Sequence, residues 1–151
     1  MSLIAIGDIH GCLETFDRLW EQLDPAPEDR VVFVGDYVDR GPRSRGVIDR
    51  MLELKQTHDC VFLRGNHERF MIDYLQNGAL NLWNQNGGLS TLRSYGGNHT
   101  GAQIPDEHVA FIRDTKLFYE TDDFFFVHAG LKPHLSVQQN KERYGEDTFL
   151  W

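Results

Sequence analysis

The chain has 151 residues, 40% of them hydrophobic and 12% aromatic, with 23 acidic side chains against 15 basic ones. That length predicts one domain with a buried core, and ten Phe, five Tyr and three Trp exclude a disordered chain. A net charge of −8 argues against a general nucleic-acid binder, which needs a basic face, but leaves room for a phosphate substrate held by a metal or a few local Arg. Two cysteines, Cys12 and Cys60, are too few for a disulfide scaffold, and their apolar surroundings predict buried free thiols. The N-terminus lacks a basic signal region, and no run approaches the roughly 20 apolar residues of a membrane helix. A cytoplasmic protein without a membrane partner is expected.

In chain order, Leu3-Ile4-Ala5-Ile6 reads as a buried strand stopped by Gly7. Leu13, Phe16, Leu19, Trp20 and Leu23 recur at helical spacing until Pro25 and Pro27. Val31 to Val34 is a second strand, and after Gly41-Pro42 a helix carries Val47, Ile48, Met51 and Leu52 on one face. Cys60 to Leu63 is a third strand, followed by a helix with Phe70, Met71, Tyr74 and Leu75. Three strand–helix units imply an α/β fold with a parallel sheet and helical crossovers. Beyond them, Asn86-Gly87-Gly88 predicts a turn, Leu89 to Tyr95 a short helix, and Pro105 to Arg113 another. Leu117 to Tyr119 and Phe124 to Val127 flank Thr121-Asp122-Asp123 and predict a hairpin.

Each strand is followed at once by a polar cluster. These are Gly7-Asp8-Ile9-His10-Gly11, Gly35-Asp36-Tyr37-Val38-Asp39-Arg40-Gly41, Gly65-Asn66-His67-Glu68 and His128-Ala129-Gly130. Ligands of open α/β sheets bind at the carboxyl ends of the strands. Any one cluster alone reads as a cap or turn. Four of them, delivering Asp, His, Asp, Asn and His to one edge, make a metal-site pattern. Oxygen and imidazole donors without thiolates suit Mn, Fe or Zn, and a shared carboxylate favours two cations about 3.5–4 Å apart.

These motifs resemble the three signatures of the calcineurin-like metallophosphoesterases, and His128-Ala129-Gly130 resembles the family's fourth. The resemblance is strongest to the phosphoprotein phosphatase branch of bacterial serine/threonine phosphatases, and Asn86-Gly87-Gly88 through Tyr95-Gly96 is similar to a segment of its bacterial members. The resemblance implies an α/β/β/α sandwich over residues 1–151. Asp8, His10 and Asp36 would hold one cation, and Asp36 would bridge to a second held by Asn66 and His128. Two divalent ions, manganese favoured over iron or zinc, would then activate a bridging hydroxide for attack on phosphorus. Arg40 and Asn66 would bind the phosphate, and His67, oriented by Asp39, would protonate the leaving group. The expected substrate is a phosphoserine or phosphothreonine protein. The rival within the superfamily is symmetrical diadenosine tetraphosphate hydrolysis, against which the resemblance sets Asp39 and Glu68 as marks of the protein phosphatases.

The sequence departs from that pattern at its end. A further phosphate-binding Arg and a Gly-His motif are expected after a Trp, and here Thr148-Phe149-Leu150-Trp151 is the last stretch. A truncated catalytic domain is therefore expected, with an incomplete second sheet, an open edge that could pair with another chain, and weakened binding of the second cation. A catalytically impaired binding or regulatory domain is the rival from another class. His58, His99, His108 and His134 follow no strand and are expected at the surface, and the mixed-charge stretch Lys141 to Asp147 reads as a solvated loop. Arg64 is expected to brace its loop internally, and Trp83 and Tyr95 to lie in the core.

Overall fold

A computed structural model describes residues 2–151. Strands β1 (Leu3–Ile6), β2 (Arg30–Phe33) and β3 (Asp59–Phe62) form a parallel sheet in the order β1-β2-β3, with Ile6 beside Phe33 and Phe33 beside Phe62 at the carboxyl edge. Helices α1 (Leu13–Leu23) and α2 (Ser44–Thr57) are the crossovers, and α3 (Asn66–Asn77) follows β3. The chain stops α1 at Asp24, which takes a left-handed conformation, and α3 at Gly78, which does the same.

Alternation along the central strand explains the layers. Val31 and Phe33 point into the main core with Phe16, Trp20, Ile48, Met51 and Phe62, so the helices cover that face. Val32 points the other way and meets Val61, Leu63, Tyr119 and Phe126, so the opposite face is covered by a hairpin. The hairpin pairs β4 (Phe118–Glu120) with β5 (Phe125–Val127) and is the two-stranded second sheet. The α/β metallophosphoesterase arrangement expected from the motifs is thus present.

Several local expectations need correcting. A short helix that the sequence does not announce, α4 (Leu80–Gln85), precedes the turn, and the expected helix follows it as α5 (Gly88–Ser94). Helix α6 (Asp106–Asp114) is as expected, but Lys141 to Asp147 falls in two helices, α7 (Val137–Arg143) and α8 (Gly145–Leu150). Helix α8 buries Phe149 and Leu150, with Phe149 against the hairpin aromatics Phe118 and Phe125, which hydropathy around a charged stretch does not reveal. His108 is buried, its Nε2 3.0 Å from Asp49 and its Nδ1 2.9 Å from the Tyr95 hydroxyl, because α6 turns that face inward. Cys12 is exposed and Cys60 half-buried, since Cys12 lies on the open loop before α1. No helix among the described residues is long and apolar enough to cross a membrane.

Candidate metal centre

Three loops leave the carboxyl edge of the sheet and lock onto one another. The Ile9 and His10 amides donate to the Asp36 carbonyl at 3.0 and 2.8 Å, and Gly11 donates to Tyr37 at 2.9 Å. Glu68, at the start of α3, is fully buried, and its two oxygens accept the backbone N–H of Asp36 (2.7 Å), Tyr37 (2.8 Å), Val38 (3.3 Å) and Gly65 (2.8 Å). Burial, together with the charge of Asp36, pushes the Glu68 carboxyl up to about 7, while the backbone donors oppose the shift.

This lattice holds an unusual backbone. His10, Asp36, Asp39 and Arg40 all have positive φ (46°, 55°, 73° and 65°) although none is glycine. Such residues cost of the order of 1 kcal/mol each and persist only where the surroundings over-determine them. Among the described residues, four of the six non-glycine cases fall in this one site. Two glycines permit the close approach. A Cβ on Gly65 would lie 2.0 Å from Asp36 Oδ1, and one on Gly41 would lie 2.1 Å from the His10 carbonyl.

Asp36 is the hub. Its Oδ2 lies 3.4 Å from His10 Nε2, 3.6 Å from His128 Nε2 and 4.0 Å from His67 Nε2. His10 Nδ1 donates to the Val38 carbonyl at 2.8 Å and His128 Nδ1 to the Val34 carbonyl at 2.9 Å. A ring that donates from Nδ1 to a carbonyl presents a lone pair at Nε2, the tautomer a metal ligand needs. His10 Nε2 is buried and has no hydrogen-bond partner. His128 Nε2 faces the Asn66 Oδ1 acceptor at 3.2 Å. Imidazole, amide and carboxylate acceptors that face one another, one of them buried and unpartnered, fit a divalent cation.

Two groups of donors lie within 4.8 Å of one another and share Asp36, as a bridging ligand requires: His10, Asp36 and His67; and Asp8, Asp36 and His128. The expected metal ligands Asp8, His10, Asp36 and His128 are thereby brought together around Asp36, and the fifth, Asn66, joins them with its Oδ1 3.2 Å from His128 Nε2. His67 is close enough to be a ligand, but its two nitrogens are otherwise engaged. Nδ1 donates to Asp39 at 2.7 Å, and Nε2 faces the Arg40 guanidinium, whose Nη2 is 3.2 Å away and would repel a metal ion there. Burial pulls the His67 pKa down, but the Asp39 hydrogen bond and the charges of Asp36 and Asp39 outweigh it and leave the imidazole above its ordinary value.

Sequence reasoning missed how Asp39 itself is held. Its buried carboxyl accepts Trp83 Nε1–H across both oxygens (2.9 and 2.8 Å) and the Thr91 hydroxyl at 2.7 Å. The Asp39 amide in turn donates to Thr91 Oγ1 at 2.8 Å and to Ser44 Oγ at 3.1 Å. The Gly-Gly segment at 87–88 was the one available signal, because a Cβ on Gly88 would collide with the Trp83 ring at 2.5 Å. Arg64 braces its loop as expected, donating to Thr115 Oγ1 and to the carbonyls of Arg113 and Thr115.

The profile of the calcineurin-like phosphoesterases matches residues 1–150. The chain belongs to that family. It is 32% identical over 140 residues to a symmetrical bis(5'-nucleosyl)-tetraphosphatase of Nitrosomonas europaea, covering 92% of this chain and 48% of the relative. A shorter stretch of 66 residues is 43% identical to a candidate serine/threonine-protein phosphatase of Caenorhabditis elegans, covering 42% of this chain and 18% of that one. In fold, the chain is similar to a candidate diadenosine tetraphosphatase, with a TM-score of 0.71, 22% identity and coverage of 97% of this chain and 57% of that structure. The chain spans about half the length of the curated tetraphosphatases it matches.

Proposed function

We propose that this chain carries the catalytic residues of a metal-dependent hydrolase that cleaves bis(5'-nucleosyl) tetraphosphates symmetrically. One observation carries the choice of substrate: similarity to tetraphosphatases runs along 92% of the chain, whereas similarity to a protein phosphatase covers 42%. The preference for a phosphoprotein rested on Asp39 and Glu68, and both are turned inward. Glu68 is spent on backbone N–H groups, and Asp39 on His67, Trp83 and Thr91, so neither carboxyl is free to recognise a phosphoprotein.

The donor set Asp8, His10, Asp36, Asn66 and His128 suits manganese, with iron and zinc also compatible. Bound divalent cations supply Lewis-acid activation of the phosphate and of water. Arg40 clamps phosphate oxygens with its planar fork, and the Asn66 amide helps to seat the same group. Once Arg40 turns to the phosphate, the Nε2 of His67 is released from it and can carry the proton given to the leaving oxygen. Asp39 holds the far side of that ring. In symmetric cleavage the leaving group is a nucleoside diphosphate, which needs less protonation than an alkoxide.

Turnover of diadenosine tetraphosphate and of a phosphoserine peptide, measured side by side with added manganese, tests the proposal. ADP as sole nucleotide product is expected. Faster release of phosphate from the peptide, supported by the 43% identity over 66 residues, would return the reading to a protein phosphatase.

A further inference from the structure

The polar network behind His67 extends beyond Asp39 to a segment that lies outside the sheet. Helices α4 and α5 contribute Trp83 and Thr91, both fully buried, and these two side chains supply the donors that Asp39 receives in addition to His67. The indole N–H straddles both carboxyl oxygens, and the Thr91 hydroxyl takes the oxygen that His67 leaves free. Thr91, together with Ser44, also accepts the backbone N–H of Asp39, which sits at a φ of 73°.

A buried carboxyl with three side-chain donors has one rotamer that satisfies them all. Removing a donor both leaves a buried acceptor short and frees the group to rotate, so the imidazole loses its fixed partner. The same segment touches Arg40, whose amide donates to the Gly87 carbonyl at 3.4 Å.

We propose that Trp83 and Thr91 are positioning residues that act through Asp39 to fix the tautomer and ring orientation of His67, and so set the efficiency of leaving-group protonation. The catalytic half of this inference rests on the phosphoesterase reading above; the structural half does not. Its signature is selectivity. A group that serves only protonation matters for a poor leaving group and hardly at all for a good one, whereas loss of general packing harms both alike.

Trp83→Phe and Thr91→Val remove one donor each while keeping apolar bulk, and Thr91→Ser keeps the hydroxyl. Two measurements on the full chain follow. In metal-free protein, the low-field proton resonance of His67 Nδ1–H, assigned by its loss in His67→Gln, is expected in the native chain and in Thr91→Ser. It is expected to shift or broaden away in Thr91→Val and Trp83→Phe. In manganese-loaded protein, kcat/KM is expected to fall about 10- to 100-fold on phenyl phosphate but by less than about 3-fold on dinitrophenyl phosphate, with restoration in Thr91→Ser. Unchanged imidazole resonances in both variants overturn the positioning, and equal losses on the two substrates reduce Trp83 and Thr91 to packing residues. A native chain that hydrolyses neither ester would overturn the protonation half of this inference and leave the tetraphosphate reading to its own test, and the resonance would still decide whether Asp39 is held as described. Should Trp83→Phe fail to fold, the near-isosteric Thr91→Val carries both measurements.

Discussion

The Glu68 carboxyl accepts the Asp36 backbone N–H at 2.7 Å, and through that bond the first turn of α3 fixes the residue on which both groups of metal donors converge. Asp36 is thereby held at a φ of 55° with its side chain in the cleft. Glu68→Gln replaces one acceptor oxygen by an NH2 that faces backbone donors. Manganese affinity is expected to fall about 10- to 100-fold, as for other residues that orient ligands without touching the ion. Calorimetric titration with manganese measures this; native affinity in the variant would show that the loop holds itself.

Asp36 belongs to both donor groups, whereas His128 belongs to one. Asp36→Asn is expected to abolish binding of both cations, and His128→Ala to leave one. Elemental analysis of metal-loaded, desalted protein gives the stoichiometry. Equal metal content in the two variants contradicts a bridging role for Asp36.

Gly65 is required by space. Its missing Cβ would lie 2.0 Å from Asp36 Oδ1 and 2.6 Å from the Asp36 nitrogen, both part of a rigid turn. Gly65→Ala is expected to cost about 3 kcal/mol of folding stability, the range for a clash that the backbone cannot relieve. Urea denaturation with and without manganese checks it, and the variant should lose most of the stabilisation the metal confers.

The two thiols should differ in reactivity and in their coupling to pH. Cys12 is exposed and is expected to react first with a maleimide; Cys60 is half-buried, and burial together with the charge of Asp59 pushes its thiol up to about 11 from 9.0. Between those values the native chain keeps a proton that the unfolded chain gives up, so this group lowers stability as pH rises from about 9 to about 11. Cys60→Ala should therefore lose less stability than the native chain over that window. Urea midpoints at its two ends supply the comparison, and parallel declines would show that Cys60 titrates alike in both states.

The part of the molecule legible in the sequence is the part written locally. Short apolar runs ending in Gly-Asp, Gly-Asp and Gly-Asn specify parallel strands with donors at their carboxyl ends, because a strand that stops puts its next few residues over the edge of the sheet. Asp8, His10, Asp36 and Asn66 were legible for that reason, whereas His128 follows β5 of the antiparallel second sheet and comes to the same place only through the packing of the two sheets. Only the tertiary structure decided which donors share Asp36, and that His67 is shielded from a ligand's role by Arg40. It also decided what stands behind each: Glu68 reaches Asp36 across 32 positions, Trp83 reaches Asp39 across 44, and Thr91 reaches it across 52. Pairings over such distances leave no periodicity for the sequence to show. The burial of His108 and Phe149 was hidden for the same reason, since a helix of nine residues or six has little face to read until its neighbours are in place.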